Sequence, residues 1–535
     1  MNSSRLAACL LGTALASTTL VACGGSDDDA PSSGGGYADG GTFTMALASD
    51  PGNLDPSMTP SSVARSMLAL SYDTLVTYTD DGEVLPSLAE TFDATATEAT
   101  FTLREGITCT DGSDLTATDV ADNISYIADP ANGSPLNGVM AREGLEISAD
   151  DEARTVTVVS PDPNGFLLAE LSGIFIICRA GLDDHDALAS ATIGTGPWQL
   201  DEAVPDDRYT FTPHEGYAWG PDGADLTAEG TPDAVAVRII PDATTTANLL
   251  LSGEVNFAAV SGPDVQRLAD ADLETVDILS TSGETWFNEA GDRPGADPAV
   301  REAMTMALER DELAQVATGG QGQASTGYIT LQPNPCAGGD TVTGNLPNPD
   351  FDAAGQVLDD AGWTMGEDGV REKDGEPLAV EFYYDAQGLS ARTAGVELMA
   401  ATWVDLGVDV TVTALPEAQL NERFFGTSAW DVAWAPFTFS LPSQMVAFVS
   451  GTTPADGGAN FPAIDNPDYD AAVAAASPQV GSDGCADWAE AEKALLAGFN
   501  PVPLFDGVSS TYLAGVEAEA PGGQIWGSSL RMLQG

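Results

Sequence analysis

Leu279-Ser-Thr-Ser-Gly-Glu-Thr-Trp-Phe-Asn-Glu-Ala290 is followed by a Gly/Asp/Pro loop and then by Asp297-Pro-Ala-Val-Arg-Glu-Ala-Met-Thr-Met-Ala-Leu-Glu-Arg310. The first part reads as a strand ending Trp286-Phe287-Asn288. The second predicts a helix: Asp297 suits the N-cap, Pro298 the first turn, and Val300, Ala303, Met304, Ala307 and Leu308 recur on one face. This stretch joins two halves of the chain that otherwise look like separate folding units.

At 535 residues the chain exceeds what one core usually supports, and about 150 residues per domain allows about three domains. Apolar content is 43%, ordinary for a globular protein, but 82 Asp and Glu face only 18 Lys and Arg, with Lys373 and Lys493 the only lysines. Such a surface repels phosphates and anionic lipid, which excludes a nucleic-acid partner. The acid is spread along the chain. That favours a solubility or high-salt adaptation of an exported protein over electrostatic capture of a cationic ligand.

Arg5 precedes an apolar, small-residue run from Leu6 to Val21. The run is too short and too rich in Ser and Thr for a membrane span of roughly 20 apolar residues, so residues 1–22 read as a signal peptide. Its end, Leu20-Val21-Ala22-Cys23-Gly24, resembles a bacterial lipobox, which implies that Cys23 is lipidated and becomes the first mature residue. The Gly/Ser/Asp/Pro-rich residues 23–40 would then be the tether of a lipid-anchored protein.

Downstream, Thr42 to Leu47 alternates as a half-buried strand and runs into Ala-Ser-Asp-Pro-Gly-Asn-Leu-Asp-Pro, an exposed loop. Thr100-Phe-Thr-Leu-Arg-Glu-Gly-Ile107 is a strand, Asp111-Gly112 a turn, and Thr118 or Asp119 the expected cap of the next helix. Ile193-Gly-Thr-Gly-Pro-Trp198 lacks the glycine spacing and lysine of a phosphate-binding loop and reads as a turn opening a strand. Val235 to Ile240, a capped helix and a Ser-Gly turn follow. Past Asp297, strands at Leu378 to Tyr384 and Val408 to Val412 flank a helix from about Arg392 to Leu406, an α/β order.

In order and spacing these segments, with the Leu279–Arg310 stretch, resemble the large solute-binding proteins of ABC importers, the peptide/nickel class, over residues 41 to 515. The resemblance implies an α/β, two-lobed periplasmic-binding-protein-like fold of class II type, with a small α/β domain inserted in the first lobe. Lobe I would comprise 41–80, 194–283 and 500–535, the inserted domain 81–193, and lobe II 284–499. It also implies a monomer on the outer face of the cytoplasmic membrane that captures a peptide-like or other polar organic solute and passes it to a permease driven by an ATPase subunit. Alternatives on the same fold are a surface receptor or peptide-binding chaperone, and a nickel-chelate binder; with only two histidines, direct metal coordination is disfavoured.

With Cys9 lost in the signal and Cys23 lipidated, four cysteines remain, and four allow three pairings. Cys109 with Cys178 and Cys336 with Cys485 is the expected pairing, because each pair then lies within one implied domain. No catalytic residue, cofactor or metal site is expected: there is no Gly-x-Ser-x-Gly elbow, and carboxylates are too numerous for any pair to be informative.

Ser428-Ala-Trp-Asp-Val-Ala-Trp-Ala-Pro-Phe-Thr-Phe-Ser440 carries the aromatic groups that such pockets need. Alternation puts Trp430 and Trp434 on one face. The resemblance makes Trp286, Trp434, Phe437 and Phe439 the expected ring contacts to the solute, with Ser49, Asn288 and Ser440 as hydrogen-bonding groups. Peptide-binding members place at the Ser440 position an aspartate that pairs with the peptide α-amine. A serine supplies no counter-charge there, leaving Asp50 or Glu284 to compensate.

Overall fold

Two strands, Glu274–Phe287 and Pro501–Leu513, pair antiparallel from Glu274 opposite Leu513 to Trp286 opposite Pro501 in the computed structural model. At about 3.4 Å per residue, strands this long reach well over the usual ~20 Å. Each therefore passes from one core into another. The structure describes residues 36–38, 40–336, 339–385 and 390–534; the expected signal peptide, Cys23 and nearly all of the tether lie outside the described residues.

One mixed sheet is built around this pair. On one side it continues through Phe257–Val260, Thr42–Leu47, Ala234–Ile239, Arg208–Pro213 and Trp198–Val204; on the other through Val432–Trp434, Ala379–Asp385 and Asp409–Leu415. Phe43, Met45 and Leu47 join Trp198, Phe211 and Leu513 in the first core. Trp286, Phe287, Val502 and Phe505 belong to the second. The two long strands thus carry two cores on one hydrogen-bonded ladder.

The change of core is marked in the backbone. Register shifts interrupt the pairing between Thr281 and Glu284, and a Cβ on Gly283 would lie 2.1 Å from the Phe505 ring. Only glycine lets the strands approach there. A bulge of this kind bends a strand locally without ending it.

A third core is organised by a four-stranded antiparallel sheet in the order Ala89–Ala94, Glu98–Leu103, Thr155–Val159, Glu146–Asp150, with the helix Ala117–Ala128 beside it. Its N-cap is Thr116, not Thr118 or Asp119. The Thr116 hydroxyl accepts from Asp119 N at 3.1 Å, and the Asp119 carboxylate accepts from Thr116 N at 2.9 Å. Asp119 is the reciprocal partner three residues in, a capping box that needs both residues.

The Gly-Thr-Gly-Pro turn returns the chain to the first core by close backbone approach. Gly196 N donates to Ser71 O at 3.0 Å and Trp198 N to Leu70 O at 2.9 Å; a Cβ on Gly196 would sit 2.3 Å from the Ser71 carbonyl carbon. This clamps the segment that leaves the helix Ser62–Leu68. In the second half, Asp297 caps Pro298–Met306 by accepting from Ala299 N at 3.0 Å, and Val300, Ala303 and Met304 are fully buried, as their spacing predicts.

Cys109 is bonded to Cys178 and Cys336 to Cys485. Closing loops of 69 and 149 residues, each would stabilise by roughly 4–5 kcal/mol in the chain-entropy account. No helix among the described residues is long and apolar enough to cross a membrane.

Candidate functional site

A cavity of about 350 Å³ opens between the halves of the molecule, within the size range of small-molecule sites. Arg65, Tyr78 and Trp526 line it from the first half and Met140, Glu170 and Gly173 from the inserted unit. Gln332, Ser440, Leu441 and Gln444 face them from the second half.

Arg65 lies on the helix Ser62–Leu68, whose cap Ser61 accepts from Ala64 N at 3.4 Å. Its Nη2 donates to Gly173 O at 2.6 Å, and the guanidinium stands 4.5 Å over the Phe175 ring. Nη1 is buried without a hydrogen-bond partner. Burial lowers the guanidinium to about 10, so it remains a cation at neutral pH. Glu170, the acid in the same wall, is pushed up by burial, but Arg142 pairs with it at 2.5 Å and Asn164 Nδ2 donates to it at 2.9 Å.

Across the cavity, Gln444 organises its own turn. Its Oε1 accepts from Ser440 N at 3.1 Å, Ser440 Oγ at 3.3 Å and Leu441 N at 3.2 Å, which caps the helix Pro442–Val449. Gln332 presents a buried Oε1 with no partner. Two orphaned polar atoms, one a donor and one an acceptor, thus belong to opposite walls of one cavity. Unpartnered buried atoms also occur in the second core, at Trp430 Nε1 and Thr285 Oγ1, so what sets these two apart is that both residues line one cavity.

Of the residues expected from sequence, Ser440 alone lines this cavity. Trp286 has no exposure; its Nε1 donates to Glu284 Oε2 at 2.9 Å and Ala435 O at 2.8 Å, and its ring packs on Phe437 and Phe461. It is a core residue because the strand ladder turns it inward. Asn288, also fully buried, donates to the Ser428 and Trp430 carbonyls and ties the strand end to the next segment. Phe437 and Phe439 stack on one another and against Phe448.

Trp434 is turned to the opposite side of the sheet. It packs edge-on to Phe505, donates to Ser282 O at 2.9 Å and lines a separate cavity of about 270 Å³. Trp430 does not share its face: it meets Phe424 and Phe461, because the strand begins only at Val432. Ser49 is exposed. Asp50 accepts from Asp206 N at 2.6 Å, Gly52 N at 2.8 Å and Tyr209 Oη at 2.8 Å. Burial pushes its carboxyl up, and those bonds together hold it below the ordinary value. It pins a loop.

Glu284 is no free anchor either. Burial pushes its carboxyl up to about 8, although Phe437 N at 3.0 Å and Trp286 Nε1 favour the anion; Asp506 adds to the rise. Asp506, on the partner strand, is itself raised to about 6 by burial. Its oxygens have no hydrogen-bond partner, and the Ser325 hydroxyl beside it donates to Gly327 O at 2.8 Å.

Arg65, Gln332, Gln444 and Trp526 were not singled out by sequence. The one available signal was the scarcity of cations: an arginine on a short amphipathic helix in so acidic a chain needs a reason. Among the described residues, no group of three or more His, Cys, Asp or Glu could hold a metal ion.

Two lobes on a shared pair of long strands, with a cavity of mixed polar and apolar lining walled by both, define a binding protein for a small solute. Residues 83–456 match the family model "Bacterial extracellular solute-binding proteins, family 5 Middle". The chain belongs to this family, the substrate-binding components of ABC import systems. It is 27% identical over 456 residues to the nickel-binding periplasmic protein of Escherichia coli, covering 79% of this chain and 81% of the relative. Two solved structures share the fold. A substrate-binding protein from Microbacterium hydrocarbonoxydans complexed with 4-hydroxybenzoate hydrazide has a TM-score of 0.66 at 26% identity, covering 92% of this chain and 99% of its own. The ABC transporter substrate-binding protein CtaP from Listeria monocytogenes has a TM-score of 0.76 at 17% identity, covering 93% and 100%.

Proposed function

We propose that this protein captures a small polar organic solute in the cavity between its lobes, without altering it chemically, and delivers it to a membrane permease. The observation that carries this reading is the placement of Arg65 and Tyr78 on one wall and Gln332, Ser440 and Gln444 on the other. A solute touching both walls binds the closed arrangement better than the open one, and that differential affinity drives closure. The long strands, bulged at Gly283, supply the bend. Lobe boundaries at residues 283–284 and 499–500 fit this scheme, as does attachment of the monomer to the outer face of the cytoplasmic membrane through a lipid on Cys23.

The 4-hydroxybenzoate hydrazide in the Microbacterium protein favours a compact organic ligand, a size the cavity of about 350 Å³ accommodates. A second reading, an organic chelate of nickel, draws on the name of the Escherichia coli relative; a chelator's carboxylates suit Arg65. Solution scattering tests the closure. Saturation with a binding solute should reduce the radius of gyration, and an unchanged radius removes the capture mechanism.

A further inference from the structure

We propose that the solute is a small carboxylate bearing a hydroxyl or N–H donor, its anionic group bound by Arg65 and its donor accepted by Gln332 across the cavity. The inference rests on the binding-protein reading above and adds the ligand's charge and polarity. It begins with Arg65. A guanidinium carries five N–H donors in a fixed fork. Here Nη2 is used by Gly173 O, one face lies on Phe175, and Nη1 is left buried with nothing to donate to.

Charge in the walls points the same way. Glu170 lines the cavity with Arg65, yet it is paired with Arg142 and hydrogen-bonded by Asn164. The walls are therefore left with one uncompensated positive charge, in a chain whose net charge is −64. Arg65 makes no ion pair with any described residue, although 82 acids are present in the sequence. An arginine kept apart from so many carboxylates is free to receive one from the solute. Bidentate binding to guanidinium is the strongest neutral-pH match for a planar carboxylate.

Gln332 sets the second feature. The residue lines the same cavity from the second half, and its Oε1 is buried and accepts no hydrogen bond, so a small side-chain rotation presents it to a solute. A hydroxyl or N–H on the solute satisfies it, and the solute then bridges the lobes. Selectivity follows from the unpaired groups. A site built around buried polar atoms rejects an analogue that leaves them unsatisfied far more strongly than an apolar pocket rejects a misfit.

The test compares matched pairs of probes on the full-length protein: 4-hydroxybenzoate with its hydrazide, and a panel of small hydroxy- and amino-carboxylic acids with their primary amides. Thermal shift serves as the screen and calorimetry supplies Kd. Wild-type protein should bind acids at least about tenfold more tightly than their amides. Arg65→Gln should abolish that preference, and Arg65→Lys, which keeps the charge but loses the fork, should retain part of it. The ligand-free melting temperature and the binding of neutral probes report whether each variant is folded. Acid binding that survives Arg65→Gln unchanged overturns the proposal. Stabilisation by neutral probes alone also overturns it while leaving the binding-protein reading intact. If no probe of either series stabilises the wild-type protein, the carboxylate proposal falls, and the binding-protein reading is then decided by the scattering test of closure.

Discussion

The aromatic cluster at the crossover and the cavity between the lobes both hold rings and polar groups, yet they differ in how their charged groups are met. Around Trp286 the indole N–H and the Glu284 carboxylate are partnered, although Trp430 Nε1 and the Asp506 carboxylate beside them are not. The indole N–H serves Glu284 and the Ala435 carbonyl, Glu284 also receives Phe437 N, and Phe437 and Phe461 close over the ring. Around Arg65 a donor and, on the far wall, an acceptor are also left over, but there both residues line a cavity and the guanidinium has no acidic partner among the described residues. Rings and unmet hydrogen bonds are shared by cores and binding sites, whereas a cavity with an uncompensated charge in its wall is what separates a site from a core.

The sharpest way to break this contrast is Trp286→Ala. A core ring should cost about 3–5 kcal/mol of stability in chemical denaturation, with solute affinity of the folded protein changed little. A large loss of affinity with stability intact would return Trp286 to the cleft.

Glu284 sharpens the comparison through pH. Its carboxyl lies at about 8 in the folded state against an ordinary 4.5, so between those values the folded protein holds a proton that the unfolded chain has released. Stability therefore falls as pH rises through that window, at about 1.4 kcal/mol per pH unit from this group. Above about 8 both states are ionised and the slope from this group ends. Glu284→Gln keeps an acceptor oxygen for Trp286 and Phe437, so it should flatten the decline between pH 6 and 8 and raise the melting temperature at pH 8. A profile of unchanged slope would remove Glu284 as its source.

A smaller effect is expected at the bend. Gly283→Ala places a methyl against the Phe505 ring, and overpacking of this kind costs about 1–3 kcal/mol; denaturation midpoints measure it, and scattering with bound solute reads any shift in closure. The smallest effect belongs to Ser440→Ala. Its backbone N–H still donates to Gln444, so stability should change by less than about 1 kcal/mol while solute binding weakens by about 1 kcal/mol. Equal losses in both would make Ser440 a helix-capping residue only.

Much of the fold was legible without coordinates. Asp297 before Pro298 and the spacing of Val300, Ala303 and Met304 specify a helix from local rules, and the structure has it there. The cysteine pairing followed once the segments were assigned to lobes, since each bond had to stay within one of them. The Thr116 cap was misplaced by two or three residues because Thr-Ala-Thr-Asp offers several capping side chains. Only the reciprocal bond between Thr116 and Asp119 selects one.

The site was far less legible. Strand alternation fixes that Trp286 and Glu284 share a face, but which face meets solvent depends on what the partner strands and Phe461 bring over it. Trp434 shows the same dependence: it lies on the opposite side of the sheet, above Phe505, because its register partner Thr285 does. Arg65 and Gln332 are 267 residues apart in the chain, and no local pattern ties them to one cavity. Sequence by itself determined the main elements, the Asp297 cap, the compartment expected of an exported chain and the family resemblance, because these depend on neighbours along the backbone. Which polar groups remain without a partner was decided by tertiary structure alone, because a hydrogen bond is met or missed by whatever folding brings within about 3 Å.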